Sequence, residues 1–314
     1  MARIGSSDLD VFPLNLGGNV FGWTADQAQS EAVLDAFVAG GGNFVDTADG
    51  YSAWVPGNSG GESELIIGEW MSKRKNRADV VVATKVSQHP DFKGLAADNV
   101  IDAADASLTR LGTDHIDLYY AHFDDENTPL EETVGAFDAL VKAGKVRYVG
   151  ISNYSGDRID QWIDIATKNG YALPVALQPH YNLVHRQPFE RELLPRAQKH
   201  GLSVFPYFSL ASGFLSGKYR TTEDLTGARG AGAKGYLNEQ GLGVIAALET
   251  IAGAHDAAIA TIALAWLRAQ PSVIAPIASA RTLEQLPDLL ASASVTLTDD
   301  EIATLNTASA GIEE

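Results

Sequence analysis

Ile116-Asp117-Leu118-Tyr119-Tyr120, then Pro129-Leu130 through Lys142, then Val146-Arg147-Tyr148-Val149-Gly150-Ile151 form one strand–helix–strand unit. The two outer runs are rich in β-branched and aromatic residues and apolar on both faces, as buried parallel strands are. The middle stretch has helix length, and Pro129 suits its first turn, where a missing N–H costs nothing. The same register continues outward. Upstream, strands at Leu14 to Leu16 and Asn43-Phe44-Val45 flank a helix reading Asp26 to Ala39, closed by the glycines at 40 to 42. Val80 to Thr84 precedes a helix around Ala97 to Arg110, ended by Gly112. Downstream, Val175 to Leu177, Ser203 to Phe205 and Val273 to Ile277 complete the series. Eight such units without a composition break predict a single (β/α)8 TIM barrel, one domain over residues 1–314, in preference to a doubly wound open sheet. Two segments leave the register: a Gly-rich loop from Gly50 to Gly61 and a long loop from Ser212 to Asn238. Loops of this length act as lids or binding loops, or are disordered.

Composition removes several functions. The chain has no cysteine, which excludes disulfide scaffolds, thiolate metal sites and a cysteine nucleophile. Its net charge of −17 argues against nucleic acid as a partner, since no excess of cations exists to displace phosphate counterions. A hydrophobic fraction of 45% places it among folded proteins, away from disorder. The most apolar stretch, Ala257 to Leu267, falls far short of the ~20 residues of a membrane span and reads as a buried helix. The opening residues lack the apolar core of a signal peptide. The expected setting is cytoplasmic, with no membrane partner.

In such a barrel, chemistry belongs at the C-terminal ends of the strands. Polar groups stand there in succession: Asp46, Lys85, His122, Ser152-Asn153, Gln178 and Tyr207. Tyr51 follows Asp46 by five residues, close enough for its loop to fold back over the barrel mouth. Singly, each has an ordinary explanation, as a turn cap, a solvated lysine, a core histidine or an aromatic plug. Their recurrence at successive strand ends points to a site. A neighbouring ammonium favours a phenolate and should lower the tyrosine's pKa from about 10. An aspartate keeps that ammonium charged, and a neutral histidine can orient a carbonyl oxygen by hydrogen bonding. The set can protonate a developing alkoxide, which suits carbonyl reduction, but a nicotinamide would have to supply the hydride.

The segments Asn43-Phe44-Val45-Asp46-Thr47-Ala48 with Tyr51, Gly61-Glu62-Ser63-Glu64 with Gly68, Ala83-Thr84-Lys85, Ile116 through His122, Gly150-Ile151-Ser152-Asn153 and Gly213 through Tyr219 resemble the aldo-keto reductase family. The match spans nearly the whole chain. The long Ser212 to Asn238 loop is similar to that of the bacterial branch related to potassium-channel β subunits. The resemblance implies a tetrad of Asp46, Tyr51, Lys85 and His122, with Tyr51 as general acid. It implies that Ser152, Asn153 and Gln178 hold the nicotinamide carboxamide and that Tyr207 stacks on its ring. Ser212, Gly213, Leu215, Gly217 and Lys218 would wrap the pyrophosphate. Ser279, Arg281 and Gln285 would face the adenosine half, with Arg281 reading the 2′-phosphate of NADPH in preference to NADH. A small-molecule aldehyde, ketone or sugar would meet Trp23, Trp54, Tyr51, His122 and either His180 or Tyr181. Ser52 and Ser279 depart from the family pattern by standing where glycine is usual, and Leu289 by standing where asparagine is frequent. Two other readings remain: a Schiff-base aldolase through a neutral Lys85, and a nucleotide-binding regulatory subunit without turnover.

Overall fold

The computed structural model describes residues 1–312. The chain opens with a hairpin, β1 (Ala2–Arg3) and β2 (Asp10–Val11), followed by β3 (Asn15–Gly17), α1 (Gln27–Ala39), β4 (Phe44–Asp46) and α2 (Glu62–Arg74). β5 (Val81–Val86) leads into a second hairpin, β6 (Gln88–His89) and β7 (Phe92–Lys93), and then α3 (Ala97–Leu111). β8 (Ile116–Ala121), α4 (Leu130–Lys142), β9 (Val146–Ser152), α5 (Gly156–Asn169), β10 (Pro174–Gln178), α6 (Leu194–His200) and β11 (Ser203–Val204) follow. The short α7 (Gly230–Ala233) lies in the long loop; α8 (Glu239–Ala254), α9 (Ile259–Arg268), β12 (Ile277–Ala278), α10 (Leu286–Ala291) and α11 (Asp299–Ala308) end the described chain.

Among the described residues, eight parallel strands form one sheet in the order β11-β10-β9-β8-β5-β4-β3-β12. The sheet curls until its edges meet: Val204 bridges Val273, the Val204 amide donating to Ser272 and the Ile274 amide donating to Val204. This is the (β/α)8 barrel anticipated from the sequence. The expected eighth strand, Val273 to Ile277, contracts to Ile277–Ala278, because Pro276 has no N–H to extend the ladder. Pro129 occupies the N-cap position with ψ 124, one residue before the helix it was expected to begin. α1 starts as read, with the Asp26 carboxylate capping the Gln29 amide in a reciprocal capping box.

The hairpin β1–β2 plugs the N-terminal end of the barrel. Ile4, Leu9 and Val11 pack with Phe44, Leu118, Tyr120 and Phe205 in the barrel interior. Gly5 makes this possible: its φ is +46°, and a Cβ there would lie 2.8 Å from the Val175 carbonyl oxygen. With that end sealed, the opposite end is left for the polar groups. No single described helix is long and apolar enough to cross a membrane. The apolar α8 and α9 instead bury Val244, Ile245, Leu248, Ile262 and Trp266 in the core.

Candidate active site

The strands β4, β5, β8 and β10 converge on a cavity of about 1410 Å³ at the C-terminal end of the barrel. Asp46 ends β4 and Lys85 lies within β5, two strands that pair in parallel register. Their side chains meet in the interior, with Lys85 Nζ 2.5 Å from Asp46 Oδ1. The ammonium also donates to the Thr47 carbonyl at 2.7 Å and to the Tyr51 hydroxyl at 3.0 Å. All three of its protons are therefore placed. The second Asp46 oxygen accepts from Gln178 Nε2 at 2.8 Å. The pair is fully buried, whereas Tyr51 keeps part of its surface open to the cavity.

The loop that carries Tyr51 is pinned at several points. Ser52 adopts φ 70°, buries its side chain and donates its hydroxyl to the Phe21 carbonyl at 2.8 Å, a bond that helps hold a serine in the left-handed region. Asn58 Nδ2 donates to the carbonyls of Gly22 and Ser52. Glu62, at the start of α2, accepts from the amides of Ser59 and Gly60. These bonds fold the Gly50–Gly61 segment back over the barrel mouth.

Burial raises the Tyr51 phenol above its ordinary value, and the opposing pull of Lys85 does not overcome it. The expectation of a lowered phenol pKa is thus corrected: taking the phenolate out of water outweighs the nearby ammonium. Burial works to lower Lys85, but Asp46 and Tyr51 together hold it above its ordinary value and charged. A charged Lys85 is not an amine nucleophile, which removes the basis of a Schiff-base aldolase. Burial raises Asp46 against the pull of the same lysine. Burial, reinforced by Lys85, drives His122 well below its ordinary value, so the imidazole is neutral. Its Nδ1 is buried without a hydrogen-bond partner among the described residues, and its ring stands 6.1 Å from that of Tyr51.

The remaining expected residues divide. Asn153, Gln178, Tyr207, Ser212, Gly213, Lys218, Ser279, Arg281 and Gln285 all line the cavity. Tyr207 donates to Asn153 Oδ1 at 2.7 Å, and Asn153 Nδ2 donates to the His122 carbonyl at 2.8 Å. Ser279 donates to Asn19 Oδ1 at 2.7 Å, and Gln285 Oε1 accepts from the Arg281 amide at 2.9 Å. Ser152 lies behind the lining, fully buried, its hydroxyl donating to the Gln178 carbonyl. Leu215 is buried, and Gly217 has a φ of 76° where a Cβ would collide with Ile259; neither residue lines the cavity. Trp54 lines the cavity, but Trp23 stands beside it, edge-on at 5.5 Å and outside the lining. Tyr181 belongs to the core: it packs on Phe189 and Trp266, and its hydroxyl donates to Glu190 at 2.8 Å. His180 stacks on His185 at 3.6 Å and does not line the cavity either.

Sequence reasoning missed Arg229. Its guanidinium lies 5.6 Å from the Trp23 ring, with Nη2 buried and without a hydrogen-bond partner among the described residues. Burial and the neighbouring Arg281 both depress its pKa. Burying one guanidinium nitrogen without a hydrogen-bond acceptor, beside a second arginine, is costly unless an anion completes it. Lys218 lines the same cavity. Three cations beside one long cavity suit a polyanion of dinucleotide length, so the residues present fit a nicotinamide dinucleotide. The available signal was a lone basic residue inside Gly227-Ala228-Arg229-Gly230-Ala231-Gly232 of an acidic chain.

A parallel barrel with an acid, an ammonium and a phenol in hydrogen-bonded series at its C-terminal mouth is equipped to deliver a proton to a bound small molecule. The sequence model of the aldo/keto reductase family matches residues 13–310, and the chain belongs to that family. It is 32% identical to the protein tas of Escherichia coli, over 96% of this chain and 95% of that one. It is 31% identical to norsolorinic acid reductase B of Aspergillus parasiticus, over 96% and 82% respectively. A probable voltage-gated potassium channel subunit beta of Oryza sativa is 33% identical over 90% of this chain and 88% of its own.

Proposed function

We propose that the protein is an NADP(H)-dependent reductase of aldehydes or ketones, sugars included, with Tyr51 as general acid. One observation carries this reading: the buried series Asp46–Lys85–Tyr51, linked at 2.5 and 3.0 Å, opens beside a neutral imidazole onto a cavity of dinucleotide size. A bound reduced nicotinamide would supply the hydride to the carbonyl carbon. Tyr51 delivers its hydroxyl proton to the oxygen as negative charge develops there, and Lys85 stabilises the phenolate left behind. Neutral His122 donates a hydrogen bond that orients the carbonyl without competing as an acid. Asn153, Gln178 and Tyr207 would hold the nicotinamide end. Ser212, Lys218 and Arg229 would hold the pyrophosphate, and Ser279, Arg281 and Gln285 the adenosine half. The test is the loss of nicotinamide absorbance with a panel of aldehydes, ketones and sugars, using NADPH and NADH in parallel. Tight nucleotide binding with no turnover of any of them would overturn the reading in favour of a regulatory subunit.

Arg281 provides a separable prediction. Its backbone is fixed by Gln285, which leaves the guanidinium to meet a 2′-phosphate. Arg281→Ala should weaken NADPH binding by roughly 10- to 100-fold, the effect of one charged hydrogen-bonding group, and alter NADH binding by less than about twofold. Titration calorimetry with both nucleotides checks this. Equal losses would mean that Arg281 does not read the 2′-phosphate.

A further inference from the structure

Two kinds of side chain line the cavity, and the proposed function assigns them to a nucleotide arm and a reactive arm. Arg281, Lys218 and Arg229 supply the cations of the nucleotide arm. The reactive arm is walled by Trp54, Phe123 and Pro90, with Trp54 and Phe123 about half exposed at its mouth. Flat apolar walls suit an aromatic body. One cation breaks this apolar surface: Lys93, on β7.

The hairpin β6–β7 sets Lys93 close to the chemistry. Lys93 faces Gln88 across the hairpin and bridges Ser87, two residues beyond Lys85. The Gln88 backbone abuts the loop of Tyr51 so closely that a Cβ at Gly50 would lie 3.0 Å from it. Among the described residues, the Lys93 side chain has no ion pair, hydrogen bond or ring contact. Asp125, which approaches the neighbouring Gly94, is engaged by the Leu95 and Asn127 amides and the Thr128 hydroxyl. Resting on the reductase reading, this arm holds no cofactor phosphate for Lys93 to meet. Lys93 is exposed where it lines the cavity, and on that reading a substrate carboxylate is the anion that would meet it from within the cavity.

We infer that Lys93 is a specificity-determining residue and that the favoured substrate is an aromatic carbonyl compound bearing a carboxylate. The ring lies between Trp54 and Phe123, the carbonyl is directed to Tyr51 and His122, and the carboxylate points to the Lys93 ammonium. The experiment compares kcat/KM for benzaldehyde and for 3- and 4-carboxybenzaldehyde with NADPH. The wild type should favour the better-placed carboxylated isomer by about fivefold, the effect of one exposed ion pair, and lose that preference at high salt. Lys93→Gln should bring the ratio to about one, and Lys93→Arg should restore it. An absent preference in the wild type, or a ratio that survives Lys93→Gln, overturns the inference and leaves the reductase reading standing. A wild type that reduces other carbonyls but none of these three aldehydes also overturns the inference alone, whereas no turnover across the whole panel of aldehydes, ketones and sugars overturns both.

Discussion

Tyr51→Phe should lower kcat for carbonyl reduction by about 10³-fold or more, within the range that a positioned general acid contributes. The substitution removes one oxygen and little else. The ring remains near Trp54 and His122, 6.3 and 6.1 Å away, and under the Lys85 ammonium at 4.7 Å. Nucleotide affinity, measured by fluorescence titration, should therefore stay within about twofold, since the charged groups that would hold a dinucleotide are untouched. The wild-type pH profile supplies an independent check. Because burial raises the phenol, Tyr51 remains protonated through neutral pH, and the reduction rate should stay level there. The decline should begin only above the ordinary phenol value near 10. A Tyr51→Phe protein with near-wild-type turnover would sink the assigned mechanism. So would a wild-type profile that falls through pH 7, because that would assign the titrating acid to another group.

The limits of reading this chain from sequence follow from the range of the forces involved. α4 is legible to within one residue, Pro129 being its cap and not part of its first turn, and the ends of β4, β5 and β8 to within two residues, because strand-end polar groups contrast with apolar neighbours. The two hairpins were not. β1, β2, β6 and β7 have two residues each, too few for any periodicity, and are held by packing and turns instead. The seriation of Asp46, Lys85, Tyr51 and His122 needed only local position. The direction of the Tyr51 shift needed burial, which is a property of the closed barrel, and local reasoning about the ammonium gave the wrong sign. Tyr181 misled for the same reason: immediately after His180 and beyond the end of β10, a tyrosine can face either the mouth or the helices, and Trp266 on α9 claims it. Arg229 lay in a segment whose path no pattern specifies. Only the folded loop brings its guanidinium beside Arg281.

Asp46→Asn should destabilise the fold by about 3–5 kcal/mol at neutral pH, the range for removing one partner of a buried ion pair. Two arguments make this isosteric change costly. The first is hydrogen bonding. Each Asp46 oxygen receives a donor, one from Lys85 and one from Gln178, so an amide nitrogen at either position faces another donor. The second is charge. Burial alone pulls Lys85 below its ordinary value, and Asp46 is the first of the two groups that reverse this. Without that carboxylate, the folded-state value should drop below the unfolded one. The sign then decides the pH dependence. In the wild type the raised Lys85 value contributes stability that is complete below the unfolded value and is lost as pH rises through the folded one. In Asp46→Asn the folded chain releases a proton that the unfolded chain keeps, so stability rises with pH over that interval. The gap between the two proteins should therefore be widest at neutral pH and narrow towards pH 10. Urea unfolding at pH 7 and pH 9.5 measures it directly. A gap that is the same at both values would show that the loss comes from packing or hydrogen bonding and not from the stranded ammonium. The same variant should lose at least about 100-fold in kcat, because a neutral Lys85 cannot stabilise the phenolate that proton delivery leaves on Tyr51.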